Sequence, residues 1–161
     1  MASDIFLKIE GVDGESTDDK FKNHIEVLSY SWGASNPPSP FSQGAGLGAG
    51  KVSFSDINIS TSYSKASPKL MMDCALGEHL KKATLIHRKA GGQGQVFLTY
   101  HFSECLVSSY QSGAQGQDSI PMESFSLAYT KVELEYLGQA VDGKVAQPIK
   151  VGYNLQINKK V

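Results

Sequence analysis

Ser119-Ile-Pro-Met-Glu-Ser-Phe-Ser-Leu-Ala-Tyr-Thr-Lys-Val-Glu-Leu-Glu-Tyr-Leu137 carries the pattern that decides the fold. Phe125, Leu127 and Tyr129 fall on odd positions, and Val132, Leu134 and Tyr136 on even ones. Alternation with a period of two puts one set of side chains on each face of a strand. A change of parity within such a run calls for a β-bulge, placed near Thr130-Lys131, where the strand bends. A long, bent strand with one apolar face is therefore expected.

Similar patterns flank it. Gln95 to Tyr110 and Ala83 to Lys89 read as strands, and Gly91-Gly92-Gln93-Gly94 between them supplies the tight turn of a hairpin. A last strand is expected inside Pro148 to Asn158. At the other end Ile5, Leu7 and Ile9 alternate with Phe6, Lys8 and Glu10, and the turn-rich Gly11-Val12-Asp13-Gly14 follows. Leu28, Tyr30 and Trp32 then share one strand face, expected in the core, and Ser29 and Ser31 share the other. Ala34 to Gly50, rich in proline and glycine, reads as an extended loop. Val52 and Phe54 on even positions, then Ile57, Ile59 and Tyr63 on odd ones, suggest a second bend near Ser55-Asp56. One helix is expected, with Ser67 as cap, Pro68 in its first turn, Leu70, Met71, Cys74 and Ala75 on its apolar side and an end near Gly77.

Several bent antiparallel strands with one helix make a mainly β fold, taken as a barrel, in a single domain spanning residues 1–161. Forty per cent of the residues are hydrophobic, enough for a core. The formal charge of −1 gives no field that would draw nucleic acid or an anionic membrane. No export signal and no run approaching a membrane span is expected from the residue order. Cys74 and Cys105 read as free, packed thiols.

The chemistry-bearing residues do not assemble into a catalytic pattern. Gly44 to Lys51 lacks the residues and the strand-to-helix setting of a phosphate cradle, because Ala45 and Val52 stand where a second glycine and a hydroxyl are needed. His24, His79, His87 and His101 show no metal-ligand spacing, although His87 and His101 could meet across a hairpin. Cys74 lies on the apolar side of the helix. Asp18-Asp19 and the pair Glu133 and Glu135 read as solvated charges. No enzyme, cofactor or metal is expected, which leaves shape and surface as the functional features.

Asp4-Ile-Phe-Leu-Lys-Ile-Glu-Gly-Val-Asp-Gly-Glu-Ser16 and Ile25-Glu-Val-Leu-Ser-Tyr-Ser-Trp-Gly33 resemble the opening of the haemolysin-coregulated protein (Hcp) family. Ser67 to Leu70, Gly77-Glu78-His79, Ala83-Thr84-Leu85, Arg88 to Gly92, Leu106 to Ser109 and Met122 to Leu127 follow in the family's order. The resemblance implies a two-sheet antiparallel β-barrel with one flanking helix. Six copies would form a ring, and rings would stack into the inner tube of a bacterial type VI secretion system. The partners implied are further copies of the chain, a spike protein, a contractile sheath and effectors carried in the channel. The implied route runs from the cytoplasm out of the cell without a signal peptide, and the short tail ending at Val161 implies the plain structural form. Ser31 and Ser29 are the residues expected on the channel wall. Pro37, Gly46 and Gly48 in the long loop, with Lys89, Gly91 and Gly92 at the opposite rim, are expected where rings meet. The alternative is a monomeric barrel that binds a small ligand.

Overall fold

The computed structural model describes residues 3–38, 50–90, 94–117, 119–138 and 147–161. Its elements run in order β1 (Ser3–Ile9), β2 (Ile25–Glu26), β3 (Ser29–Ser31), β4 (Ala34–Ser35), β5 (Ser53–Phe54), β6 (Ile57–Ser62), α1 (Ser67–Leu76), β7 (His79–Lys89), β8 (Val96–Gly113), β9 (Met122–Ala128), β10 (Lys131–Tyr136), β11 (Ile149–Asn154) and β12 (Lys159–Lys160). Every strand pairing is antiparallel.

β8 organises the sheet because its two halves have different partners. Leu98 to Ser103 pair with β10, and Leu106 to Gly113 pair with β9. Glu104, between the halves, has φ 52°. There the strand turns a corner, and the break between β9 and β10 at Tyr129-Thr130 lies opposite, with Thr130 N–H donating to Ser103 O. The expected bend at Thr130-Lys131 is thus a strand break one residue earlier, and the break at Ser55-Asp56 separates β5 from β6.

One sheet path runs β12-β11-β10-β8-β7-β1-β2, and a second set of pairings runs β8-β9-β6-β3. The segment Ile25 to Ser31 belongs to both. Ile25 and Glu26 pair with β1, Val27 N–H donates to Ile5 O, Leu28 N–H donates to Ser60 O, and Ser29 to Ser31 pair with β6. This order is compatible with the expected two-sheet barrel. The corner also explains one correction: Leu28, expected in the core with Tyr30 and Trp32, is 59% exposed. The chain passes from one sheet to the other at Val27-Leu28, so the face alternation resets and Val27 is the buried residue.

Leu7, Ile9, Ile57, Ile59, Leu70, Leu85, Phe102, Phe125, Leu127 and Val132 are fully buried in one cluster. Each such side chain contributes roughly 1.5–3 kcal/mol by leaving water. The core is filled by apolar side chains. A chain of ring contacts, His87–Tyr30–Tyr100–Trp32–Phe54–Tyr153, ties the small β4–β5 sheet to the main body. Trp32 Nε1–H donates to Tyr129 OH, which donates in turn to Ser55 O. Burial, the largest cause, pushes the Tyr129 phenol up to about 12.

The helix matches the expected span, with three corrections, one of them that Ala75, expected on the apolar side, is exposed. Ala66 is the capping residue, and Ser67 is buried in the first turn, where its Oγ accepts from Ser64 N–H. Met71 is half exposed, so the buried side is carried by Leu70 and Asp73. Gly77 ends the helix with φ 63°, a left-handed conformation that favours glycine. Of the expected long loop Ala34 to Gly50, Ala34 and Ser35 are strand, because they precede the prolines and keep free backbone donors for Phe54 and Ser53.

Asp18 corrects the reading of Asp18-Asp19 as solvated charges. The Arg88 guanidinium lies over the rings of Phe6 and Phe21, which stack at 4.8 Å, and it bridges Asp4 (2.9 Å) and Asp18 (2.7 Å). Asp18 Oδ1 also accepts from the N–H groups of Lys20 and Phe21. The Arg88 hydrogen bond holds the Asp18 carboxyl below the usual carboxylate range. This latch fastens the segment between β1 and β2 to the sheet.

Candidate functional site

The register places small polar side chains in cross-strand rows on the outer face of β3, β6, β9 and β8. Paired residues of an antiparallel ladder share a face. Ser29 is opposite Ser60, Ser60 opposite Ser124, and Ser124 opposite Gln111. The next row is Ser31, Asn58, Ser126 and Ser109. Between these rows, on the inner face, stand Tyr30, Ile59, Phe125 and Tyr110. Burying those apolar side chains turns the serines to the opposite face, where Ser29, Ser31 and Ser109 are exposed and Ser126 is covered, at 5% exposure. Four strands spaced about 4.8 Å apart make this face about 14 Å wide.

A bulge finishes the second row. The β8–β9 register shifts between Val107 and Ser109, which sets Ser108 and Ser109 together against Ser126. Both hydroxyls hydrogen-bond the Ser126 hydroxyl, and Ser108 also donates to Asp56 Oδ2 at 2.6 Å. Eight side chains in two rows carry hydroxyls or amides and no charge. At one end the face dips into an open groove of about 490 Å³ lined by Ser60, Gln111, Gly113, Met122 and Ser124.

The outer face of the other sheet is chemically opposite. Lys8, Thr84, His101 and Glu133 form one row across β1, β7, β8 and β10, and Lys82, Ser103 and Lys131 form the next. Lys131 pairs with Glu133 at 3.0 Å and Lys150 with Glu135 at 3.7 Å. The two glutamates, expected as plain solvated charges, thus sit in ion pairs at the rim of a cavity of about 390 Å³. His101 lies there with its Nδ1 buried and without a hydrogen-bond partner, and burial, then Lys82, lowers its pKa.

Of the residues expected on the channel wall, Ser29 and Ser31 are both exposed and lie on this hydroxyl face. Pro37 is exposed, and Lys89 is half-buried with its ammonium 5.9 Å from the Phe97 ring centroid. Gly46, Gly48, Gly91 and Gly92 lie outside the described residues. The structure does not bring His87 and His101 together: His87 is opposite Leu98, and His101 opposite Thr84. His87 Nε2 instead shares a hydrogen bond with Tyr30 OH at 2.7 Å, and burial lowers its pKa. Among the described residues no three metal-ligating side chains cluster. Cys105 is buried, which pushes its thiol up to about 12, and Cys74 is half-buried.

Residue order alone left out Asn58, Ser60, Ser109, Gln111, Ser124 and Ser126. Their alternation with Ile59, Tyr110 and Phe125 is visible in the sequence, but which strands lie side by side is a property of the fold.

Residues 6 to 136 match the family described as type VI secretion system effector, Hcp. The protein hcp1 of Pseudomonas aeruginosa is 41% identical over 160 residues, covering 98% of each chain. A solved type six secretion system protein superposes with a TM-score of 0.92 at 38% identity, over 99% of this chain and all of the other. Hcp1 from Salmonella typhimurium superposes with a TM-score of 0.79 at 36% identity over the whole of both chains. Sequence and fold, over nearly the full chain, place this protein in the Hcp family of type VI secretion.

Proposed function

We propose that this chain is the inner-tube subunit of a type VI secretion system and acts through assembly, without catalysis. Six copies close into a ring, rings stack into a tube, and sheath contraction expels the tube with its spike from the bacterial cytoplasm. In this reading residues 1–161 act as one domain. The observation that carries it is the pair of neutral hydroxyl rows, Ser29–Ser60–Ser124–Gln111 and Ser31–Asn58–Ser126–Ser109, which a ring would repeat around its channel. Small uncharged side chains keep the bore open and offer hydrogen bonds to a passing effector without ion pairs that would hold it. A filled apolar core argues for this surface role over a ligand held inside the barrel.

Ser31→Gln extends a side chain into the bore from an exposed strand position. It is expected to leave ring formation intact and to lower the amount of effector retained with the ring in cells. Unchanged effector levels would contradict the placement of Ser31 on the channel wall. Stacking is assigned to the Pro37 to Gly50 segment and the rim at Lys89 to Gly92. Deleting residues 41 to 48 should preserve the ring mass and abolish tubes in electron micrographs, and tubes of normal length would reject that assignment.

A further inference from the structure

The hydroxyl rows carry no charge of their own, but a carboxylate is bonded to them at one end. Ser108 Oγ donates to Asp56 Oδ2 at 2.6 Å, and the same hydroxyl is hydrogen-bonded to Ser126 of the second row. The half-buried Asp56 side chain thus lies on the hydroxyl face, just past Ser31, Asn58, Ser126 and Ser109. Its backbone is fixed on both sides. Before it, Ser55 N–H donates to Gly33 O and Ser55 O accepts from Tyr129 OH; after it, Ile57 pairs with Leu127.

This charge has no counter-ion in the chain. Asp4, Asp13, Asp18, Asp73, Glu133 and Glu135 each pair with a lysine or arginine, whereas no cation among the described residues pairs with Asp56. Glu123, on β9, turns to the opposite face, where it is 3% exposed and accepts from the Thr61 and Tyr110 hydroxyls. A closed ring repeats each side chain at one level, so six Asp56 carboxylates would circle the bore. Four strands per copy, at about 4.8 Å each, set neighbours roughly 19 Å apart. That exceeds the Debye length of about 8 Å in physiological salt, so the six do not share one small cation. Each instead meets a single positive group of whatever chain fills the bore. One exposed ion pair is weak and lets go easily, but six on one chain act together.

We propose that Asp56 selects cargo by charge: the bore retains protein chains that present lysine or arginine at its level. This rests on the ring reading above, and it names the class of cargo that the neutral rows leave open. The occupant is a basic protein surface, because the carboxylates lie too far apart for a metal ion and stand on a face with no other charge bonded to it. Ser108 holds the carboxylate in place, and the charge does the selecting.

Asp56→Asn tests this, because the amide oxygen still accepts from Ser108 and only the charge is lost. The probe is a fluorescent polylysine of about 35 residues, long enough when extended to follow the circle. Its binding to purified rings is read by anisotropy at low salt. Asp56→Asn should weaken binding about tenfold, the sum of six weak pairs. Glu10→Gln removes the same charge from an exposed position at the end of β1 and should change the affinity by less than about twofold. Equal losses in both variants, or no loss in Asp56→Asn, would overturn the inference while leaving the ring reading in place. An unaltered chain that runs as a 17.4 kDa monomer would instead overturn the ring reading, and the inference with it. If Asp56→Asn loses the ring mass, carbodiimide coupling of polylysine to the unaltered ring decides the matter. Peptide masses should then show Asp56 joined to lysine, and coupling confined to other carboxylates would reject the assignment.

Discussion

Glu104 holds φ 52° inside β8, at the point where the strand leaves β10 for β9. Residues with a Cβ cost about 1–2 kcal/mol in that left-handed conformation. Glycine in a strand interior ordinarily costs roughly 0.5–1 kcal/mol. At this corner the order should invert: Glu104→Gly is expected to be neutral or to stabilise by up to about 1 kcal/mol in urea unfolding. Thr84→Gly, in regular β7, should destabilise by about 1 kcal/mol. A loss at Glu104 as large as at Thr84 would argue against the corner. Gly14 is the reverse case, because a Cβ there would meet His24 O at 2.4 Å and Ile25 Cα at 2.7 Å. Backbone cannot yield as a side chain does, so Gly14→Ala should cost roughly 2 kcal/mol.

At the scale of elements, β7 and β3 meet through His87 and Tyr30, whose shared hydrogen bond and edge-on ring contact lie half-buried. Burial lowers the His87 pKa below its ordinary 6.5, so the unfolded chain binds the proton more readily than the folded one. Stability from this site is therefore complete above pH about 6.5 and is lost as the pH falls through 6.5 toward the depressed folded value. His101 has the same direction and adds to the effect. Asp18, held down by Arg88, loses its contribution only below its ordinary 3.8. Tm is expected to fall between pH 7 and pH 5, and His87→Gln should flatten that slope; an unchanged slope would remove His87 as its source.

The elements themselves were largely legible in the residue order. Strand faces, the helix with its Gly77 end and the bends near Ser55 and Thr130 all follow from period and parity. Local pattern ran out where partners far along the chain decide the outcome. Leu28 is exposed because the chain changes sheets there, and Asp18 is an anchor because Arg88, on β7, lies over Phe6 and Phe21. The hydroxyl face was half legible for the same reason. Ser29 and Ser31 alternate within one strand, but their neighbours Ser60, Asn58, Ser124 and Ser126 arrive only with the register.

For the whole molecule, the two outer faces differ in the way the proposed tube requires. The neutral rows on β3, β6, β9 and β8 suit a bore through which other chains pass, and the charged rows on β1, β7, β8 and β10 suit an outer wall in water. A net charge of −1 lets copies approach without strong mutual repulsion. The most direct test is the mass of the unaltered chain in solution, by light scattering behind a sizing column at low and moderate salt. A value near six times 17.4 kDa, about 104 kDa, is predicted at both salt concentrations, because a net charge of −1 leaves little long-range repulsion for salt to screen. A single species at 17.4 kDa at high protein concentration would contradict it.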